Sequence, residues 1–296
     1  IHTARIRYQE FCESTFPDGL GLDGLKVVFD GANGAGYKVG PRTLANLGAE
    51  VIPIGCSPNG RNINQGCGST SPELLSLTVP AVKADVGVAL DGDGDRLVMV
   101  DEEGRLIDGD QLLYILAMAR RAEGALQGPV VGTVMSNLGL EHALRDASID
   151  FRRAKVGDRY VLETLRETGG VIGGETSGHM IVLDRTTTGD GLVSALQILA
   201  IMKQTGKPLS ELAGAMPKYP QTMINVRTDK KLDPDASPAI QQAVGAVEDE
   251  LRDSGRVVLR ASGTEPVIRV MVEGENADQV TALAQRLAGV VAKAAA

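Results

Sequence analysis

Along this chain, short apolar runs of strand length alternate with stretches in which apolar residues recur every three or four positions, and glycine, proline or aspartate marks most of the changes. Lys26-Val27-Val28-Phe29-Asp30 predicts a buried strand ending in the turn Gly31-Ala32-Asn33-Gly34-Ala35-Gly36. A helical stretch then reaches Leu47, and Glu50–Ile54 supplies the next strand, which makes one βαβ unit. A helix over Glu73–Lys83 and strands over Ala84–Leu90 and Leu97–Val100 extend it. Residues 1–104 therefore read as a first α/β domain, closed by the turn Glu102-Glu103-Gly104.

The alternation continues with predicted helices over Asp110–Arg121, Leu138–Arg145, Arg159–Arg166 and Gly191–Met202, and strands over Val130–Val134, Phe151–Ala154, Val171–Gly173 and Met180–Leu183. These define a second α/β domain over 105–218. Lys207-Pro208 and Pro217-Lys218-Tyr219-Pro220 punctuate the pattern and read as a linker. Beyond it, Gln221–Arg227, Pro238–Arg252, Arg256–Leu259, Val267–Val272 and Asp278–Ala294 read β-α-β-β-α, a smaller α+β domain over 219–296. The fold class expected is thus two consecutive α/β domains with mixed sheets, followed by a smaller α+β domain.

Composition narrows the function classes. At 296 residues and 43 % hydrophobic content, the chain can bury large cores. No apolar run is long enough to span a membrane, and the first residues lack an apolar signal core. Three cysteines at unrelated spacings point to a reducing compartment, the cytoplasm. A formal charge of -8, with aromatic residues at 3 % and no tryptophan, argues against nucleic acid as a partner. Oligomeric state is not legible, and a homodimer stays open.

The stretch richest in chemistry is Asp91-Gly92-Asp93-Gly94-Asp95-Arg96. Three carboxylates in one short loop repel one another unless a cation neutralises them, and the glycines between allow the sharp bends that let the side chains converge. A hard-metal site of the Mg²⁺ or Ca²⁺ type follows, at a strand end where open α/β sheets place ligands. A solvated acidic turn is the plain alternative. An EF-hand fits worse, because Arg96 stands where that loop needs glycine and the flanks read as strands.

Other glycine-bearing loops carry further candidates. Gly31–Gly36 lacks the spacing of a dinucleotide fingerprint and reads as a structural turn. Gly173-Gly174-Glu175-Thr176-Ser177-Gly178-His179 offers a carboxylate, hydroxyls and an imidazole suited to sugar hydroxyls, or else a hydrogen-bonded β-turn. Arg260-Ala261-Ser262-Gly263-Thr264-Glu265-Pro266, with Arg269, resembles a phosphate cradle, with a plain hairpin turn as the alternative. Lys155, before Gly157-Asp158-Arg159-Tyr160, could exchange protons if enclosed, or be a solvated lysine at a helix start.

Taken in order, these four loops resemble those of the α-D-phosphohexomutase family. The wording of Phe11–Pro17, Pro58–Asn64, Thr186–Gly191 and Arg269–Gly274 is closest to the bacterial amino-sugar branch, and the resemblance spans nearly the whole chain. It implies that Asp91, Asp93 and Asp95 hold Mg²⁺ and that Arg96 faces the reacting phosphate. It also implies that Glu175 and Ser177 hold sugar hydroxyls, with His179 lining the site, and that Lys155 is an acid/base group. Arg260, Ser262, Gly263, Thr264 and Arg269 would anchor the other phosphate of the small-molecule substrate, a hexosamine phosphate. The activity implied is interconversion of glucosamine 6-phosphate and glucosamine 1-phosphate through a phosphoserine enzyme and a bisphosphate, on the route to UDP-N-acetylglucosamine.

One departure matters. Family members carry the phosphorylated serine in a Ser-His loop on a preceding domain, and neither His2 nor His142 has a serine beside it. The chain is expected to be the last three of four domains and inactive by itself. A non-catalytic sugar-phosphate-binding protein, a metal-dependent phosphatase, and specificity for mannose or glucose phosphates stay open.

Overall fold

The computed structural model describes residues 2–228, 233–262 and 266–295, and they fall into two compact units, one of residues 1–136 and 143–216 and one of 137–142 and 217–296. The first unit holds two mixed sheets. Strands β1 (Lys26–Asp30), β2 (Glu50–Ile54), β3 (Val86–Leu90), β4 (Leu97–Asp101) and β5 (Leu106–Ile107) are ordered β2-β1-β3-β4-β5, the first three parallel and the last two antiparallel. Every residue of β3 and β4 is buried, which is why those segments are unbroken apolar runs without alternation. Helix α3 (Glu73–Ala81) presses Leu75 and Val79 against Val28, Ala89, Val98 and Val100 of the sheet. Helices α1 (His2–Ser14) and α2 (Val39–Asn46) complete this part.

The second sheet has the order β7-β6-β8-β9, from β6 (Val130–Thr133), β7 (Phe151–Ala154), β8 (Ile172–Gly174) and the antiparallel β9 (Met180–Val182). Helix α4 (Gly109–Ala122) precedes its first strand, and between its strands run α5 (Leu138–Asp146), whose opening residues 138–142 belong to the second unit, and α6 (Asp158–Thr168). Helix α6 buries Val161 and Leu165 against Val131, Ala154 and Ile181, and it stops at Gly169, whose φ of +72° suits a helix C-terminus. Helix α7 (Gly191–Thr205) is buried continuously from Gly191 to Met202, so its near-absence of charge reflects a helix enclosed on all sides.

In the second unit, β10 (Gln221–Arg227), β11 (Gly255–Ala261) and β12 (Val267–Gly274) form an antiparallel sheet ordered β10-β12-β11. Helices α9 (Pro238–Leu251) and α10 (Ala277–Ala295) cover one face. Val280, Leu283, Leu287 and Val291 of α10 recur at helical spacing and pack on Ile268, Val270 and Val272. Each such side chain contributes about 1.5–3 kcal/mol when fully buried. The other face holds a buried carboxylate: Glu273 accepts from Leu138 N (2.8 Å) and Gln221 Nε2 (2.8 Å) and pairs with Arg256 Nε at 2.6 Å.

Helix α8 (Leu209–Gly214), helix α1 and strand β5 went unread in the sequence pattern. The stretch read as a linker contains α8, because Leu209 and Ala213, four apart, bury one face while Pro208 sets the helix entry. Helix α1 gives little amphipathic signal, and β5 is two residues long. Among the described residues all three cysteines are free, and burial pushes Cys12 up to about 12 and Cys56 up to about 11, which leaves both thiols unreactive at neutral pH. No helix among the described residues is long and apolar enough to cross a membrane.

Candidate metal and sugar-phosphate site

The acidic loop is the hairpin connection between β3 and β4. Asp91 is buried, and its Oδ1 accepts from the backbone N–H of Gly94 (3.2 Å) and Arg96 (3.0 Å), an arrangement that folds the loop over its own first carboxylate. Gly94 makes the bend with φ +84°, a conformation costly for any other residue. One oxygen each from Asp91, Asp93 and Asp95 lies within 4.8 Å of the others. Asp95 Oδ1 is buried without a hydrogen-bond partner. Arg96 Nε stands 3.9 Å from Asp91 and 4.0 Å from Asp95, beyond hydrogen-bond range, so its half-exposed guanidinium offsets charge without filling the space between the acids. Three converging carboxylates, one of which has a buried oxygen without a partner, fit a small hard divalent cation such as Mg²⁺. The flanks are antiparallel strands, which removes the EF-hand alternative.

The glycine turn after β1 supports this loop. Ala35 N donates to Gly92 O at 2.8 Å, and a Cβ on Gly34 would collide with that same carbonyl. Gly31–Gly36 is therefore a buttress whose small residues allow close backbone approach.

Between β8 and β9, the loop carrying Glu175, Ser177 and His179 closes through Gly178 N to Glu175 O (2.9 Å) and Glu175 N to His179 O (3.1 Å). It is joined directly to the acidic loop: Leu97 N donates to Gly178 O at 3.0 Å, and Arg96 and His179 form an antiparallel bridge. The His179 side chain is 7 % exposed and its Nδ1 lies 3.2 Å from Asp95 Oδ2. A carboxylate can only accept, so Nδ1 carries the proton and the ring orients a side chain of the acidic loop.

Glu175 Oε1 accepts from Gly157 N at 2.9 Å, which draws in the turn that follows Lys155. Lys155 itself is exposed, its ammonium 5.7 Å from the centre of the Tyr160 ring. Ser177 stands exposed at the loop tip. Asp91, Asp93, Asp95, Arg96, Glu175, His179 and the lysine turn are thus linked within the first unit. Asp158 also belongs here, with Oδ2 4.0 Å from His179 Nε2. The sequence marked it only as a helix start, because a contact between separate loops leaves no local pattern.

The second unit carries the arginines. Arg269 of β12 lies in register between Asn225 of β10 and Arg260 of β11, on exposed positions. Asn225, Arg227, Pro266, Val267 and Arg269 line a groove of about 450 Å³. Ser262 N closes the turn onto Val267 O at 2.8 Å. Gly263 and Thr264 lie outside the described residues. Arg227 was not singled out in the sequence, although the alternation of β10 places it on the same face as Asn225.

Sequence profiles of one family match nearly the whole chain. Residues 8–104 match phosphoglucomutase/phosphomannomutase α/β/α domain II, residues 108–219 match its α/β/α domain III, and residues 223–290 match its C-terminal domain. The phosphoglucosamine mutase of Aeromonas hydrophila is 58 % identical over 288 residues, 97 % of this chain and 65 % of the relative. That of Methylococcus capsulatus is 56 % identical over 294 residues, 99 % of this chain and 66 % of the relative. The chain therefore spans about two-thirds of the length of these relatives.

Among solved structures, the Aspergillus fumigatus N-acetylphosphoglucosamine mutase in complex with GlcNAc-6P and magnesium superimposes with a TM-score of 0.80 at 21 % identity, over 98 % of this chain and 66 % of that one. A phosphoglucomutase/phosphomannomutase family protein from Burkholderia thailandensis gives 0.78 at 22 %, over 98 % and 64 %. At those identities the likeness speaks for the fold.

Proposed function

The chain belongs to the α-D-phosphohexomutase family, and from that membership we propose that it is the metal- and sugar-handling part of a phosphoglucosamine mutase, which interconverts glucosamine 6-phosphate and glucosamine 1-phosphate. The observation that carries the proposal is the hydrogen bond from His179, on the sugar loop, to Asp95, on the metal loop: it ties substrate recognition to the place where phosphoryl charge is neutralised. The relatives at 54–58 % identity are phosphoglucosamine mutases, which favours the amino sugar over mannose or glucose.

In this reading Asp91, Asp93 and Asp95 hold Mg²⁺, which when bound offsets negative charge on the transferring phosphoryl group. Arg96 holds a non-bridging oxygen of that phosphate. Glu175 and Ser177 accept from and donate to sugar hydroxyls, His179 fixes Asp95, and Lys155 moves a proton at the reacting hydroxyl. Arg260, Ser262, Gly263, Thr264 and Arg269 grip the second phosphate, with the guanidiniums supplying bidentate contacts. Residues 1–104, 105–218 and 219–296 would divide these tasks as metal, sugar and phosphate domains.

No Ser-His loop stands in the 296 residues to accept and return the phosphoryl group, so the chain by itself binds the sugar phosphate without turning it over. The test is titration calorimetry of the purified chain with glucosamine 6-phosphate and Mg²⁺, beside a mutase assay. Saturable binding, weakened about tenfold or more in Arg269→Ala and without turnover, is the expected result. Absence of binding would end the substrate reading, and turnover by the chain alone would end the incomplete-enzyme reading.

A further inference from the structure

The metal loop is held from a direction that none of its own residues reveals. Helix α7 begins against it: Gly191 N, at the start of the helix, donates to Gly94 O at 2.9 Å, between the second and third aspartates. Two residues earlier, the main chain at Gly189 lies against the His179 ring, so that a Cβ there would collide with Nε2. His179 in turn holds Asp95 Oδ2. The segment 189–191 therefore supports the loop at two points, one through backbone and one through the imidazole.

Asp190 sits between those two points and is tied on both oxygens. Its Oδ1 accepts from Val193 N at 2.9 Å and caps α7, and its Oδ2 accepts from the hydroxyl of Tyr8 at 2.8 Å, on α1 and 182 positions away. We infer that Asp190 is a positioning residue for the metal loop and that Tyr8 fixes Asp190, so that α1 sets the geometry of the three aspartates without touching them.

The physical reason lies in the order of constraint. A helix cap alone would orient Asp190 through one oxygen and leave its side-chain torsion and other oxygen free. A second bond, from a tyrosine on another helix, removes that freedom, and the Gly189 and Gly191 contacts transmit the constraint to His179 and Gly94. Burial, reinforced by the charge of Asp190, pushes the Tyr8 phenol well above its usual range, so it stays a hydrogen-bond donor across the working pH range. Groups that orient metal ligands from outside the coordination sphere commonly alter affinity about 10–100-fold.

This inference rests on the metal-site reading, and the test separates the two. Mn²⁺, as a paramagnetic probe for the divalent cation, is titrated into the full 296-residue chain and free Mn²⁺ is followed by electron paramagnetic resonance. The wild-type chain binds; Asp190→Ala raises the dissociation constant about tenfold and Tyr8→Phe about threefold. Asp190→Asn stays near wild type, because its amide can still cap Val193 and pair with the Tyr8 hydroxyl. A merely structural role would lower thermal stability and leave Mn²⁺ affinity where it was, and that result in both Tyr8→Phe and Asp190→Ala overturns the inference. If Asp190→Ala does not fold, Tyr8→Phe decides. Failure of the wild-type chain to bind Mn²⁺ overturns the metal reading and this inference with it.

Discussion

The two charged regions of the molecule are built by opposite means. In the first unit, like charges are forced together by main chain: Asp91 is buried, held by two backbone N–H groups of its own loop, the loop accepts from Ala35 and Gly191, and Leu97 just after it is bonded to Gly178. In the second, Arg260 and Arg269 project from neighbouring strands into solvent, and their scaffold is an ordinary apolar core. Carboxylates that must share one ion need ångström-level convergence against their repulsion, whereas long guanidinium side chains reach a polyanion from a distance and adjust to it.

The strongest perturbation of that contrast is Glu273→Ala. On the same sheet as the exposed arginines, Glu273 is a carboxylate of the second unit treated as the first unit treats Asp91: fully buried, with Arg256, Gln221 and Leu138 N as partners. Removing it takes the 2.6 Å carboxylate partner from a largely buried guanidinium and leaves the Leu138 N–H without the acceptor it has here. We expect a loss of about 3–5 kcal/mol in the stability of the second unit, seen by calorimetry as a lowered melting transition. Mn²⁺ affinity should stay unchanged. A variant that melts with wild type would mean that the buried pair is replaceable by water.

How much of this was legible in the sequence follows the same line. Strands such as Lys26–Asp30 and Gln221–Arg227 were read to the residue, because unbroken or alternating apolar runs report burial locally. The convergence of Asp91, Asp93 and Asp95 was legible because the glycines between them allow the bends that bring the three carboxylates together. The role of Gly34 was not, since a close backbone approach to Gly92, 58 positions on, looks like any flexible turn. Asp190 read only as part of a family motif, and Tyr8 as nothing at all. Glu273 was visible as one letter of a motif, while its burial depends on Leu138, whose proximity no local pattern encodes. Helix α8 was hidden by the prolines that bracket it.

Next in size is the separation of scaffold from charge within Asp91. Asp91→Asn keeps an oxygen for Gly94 and Arg96 but removes a negative charge, while Asp91→Ala removes both. Mn²⁺ affinity should fall about tenfold in the first and about 100-fold in the second. Equal losses would show that the backbone bonds of Asp91 contribute nothing to preorganisation and that the loop is shaped by the ion.

The smallest effect has the most telling sign. Arg260 and Arg269 face one another directly across the β11–β12 ladder, and like charges so placed are destabilising. Arg260→Gln should therefore stabilise the second unit in phosphate-free buffer, by up to about 0.5 kcal/mol, small because both side chains reach solvent and separate. In the presence of inorganic phosphate the order should reverse, since the wild-type pair gains a bound anion that the variant holds less well, and ligand binding raises apparent stability with concentration. Melting curves of the two proteins across a phosphate series at constant ionic strength measure the crossing. If the variant is never the more stable, the paired guanidiniums carry no repulsion to relieve. If phosphate moves both proteins equally, the groove does not distinguish two arginines from one, and the contrast between a preorganised acidic site and an adaptable basic one loses its second half.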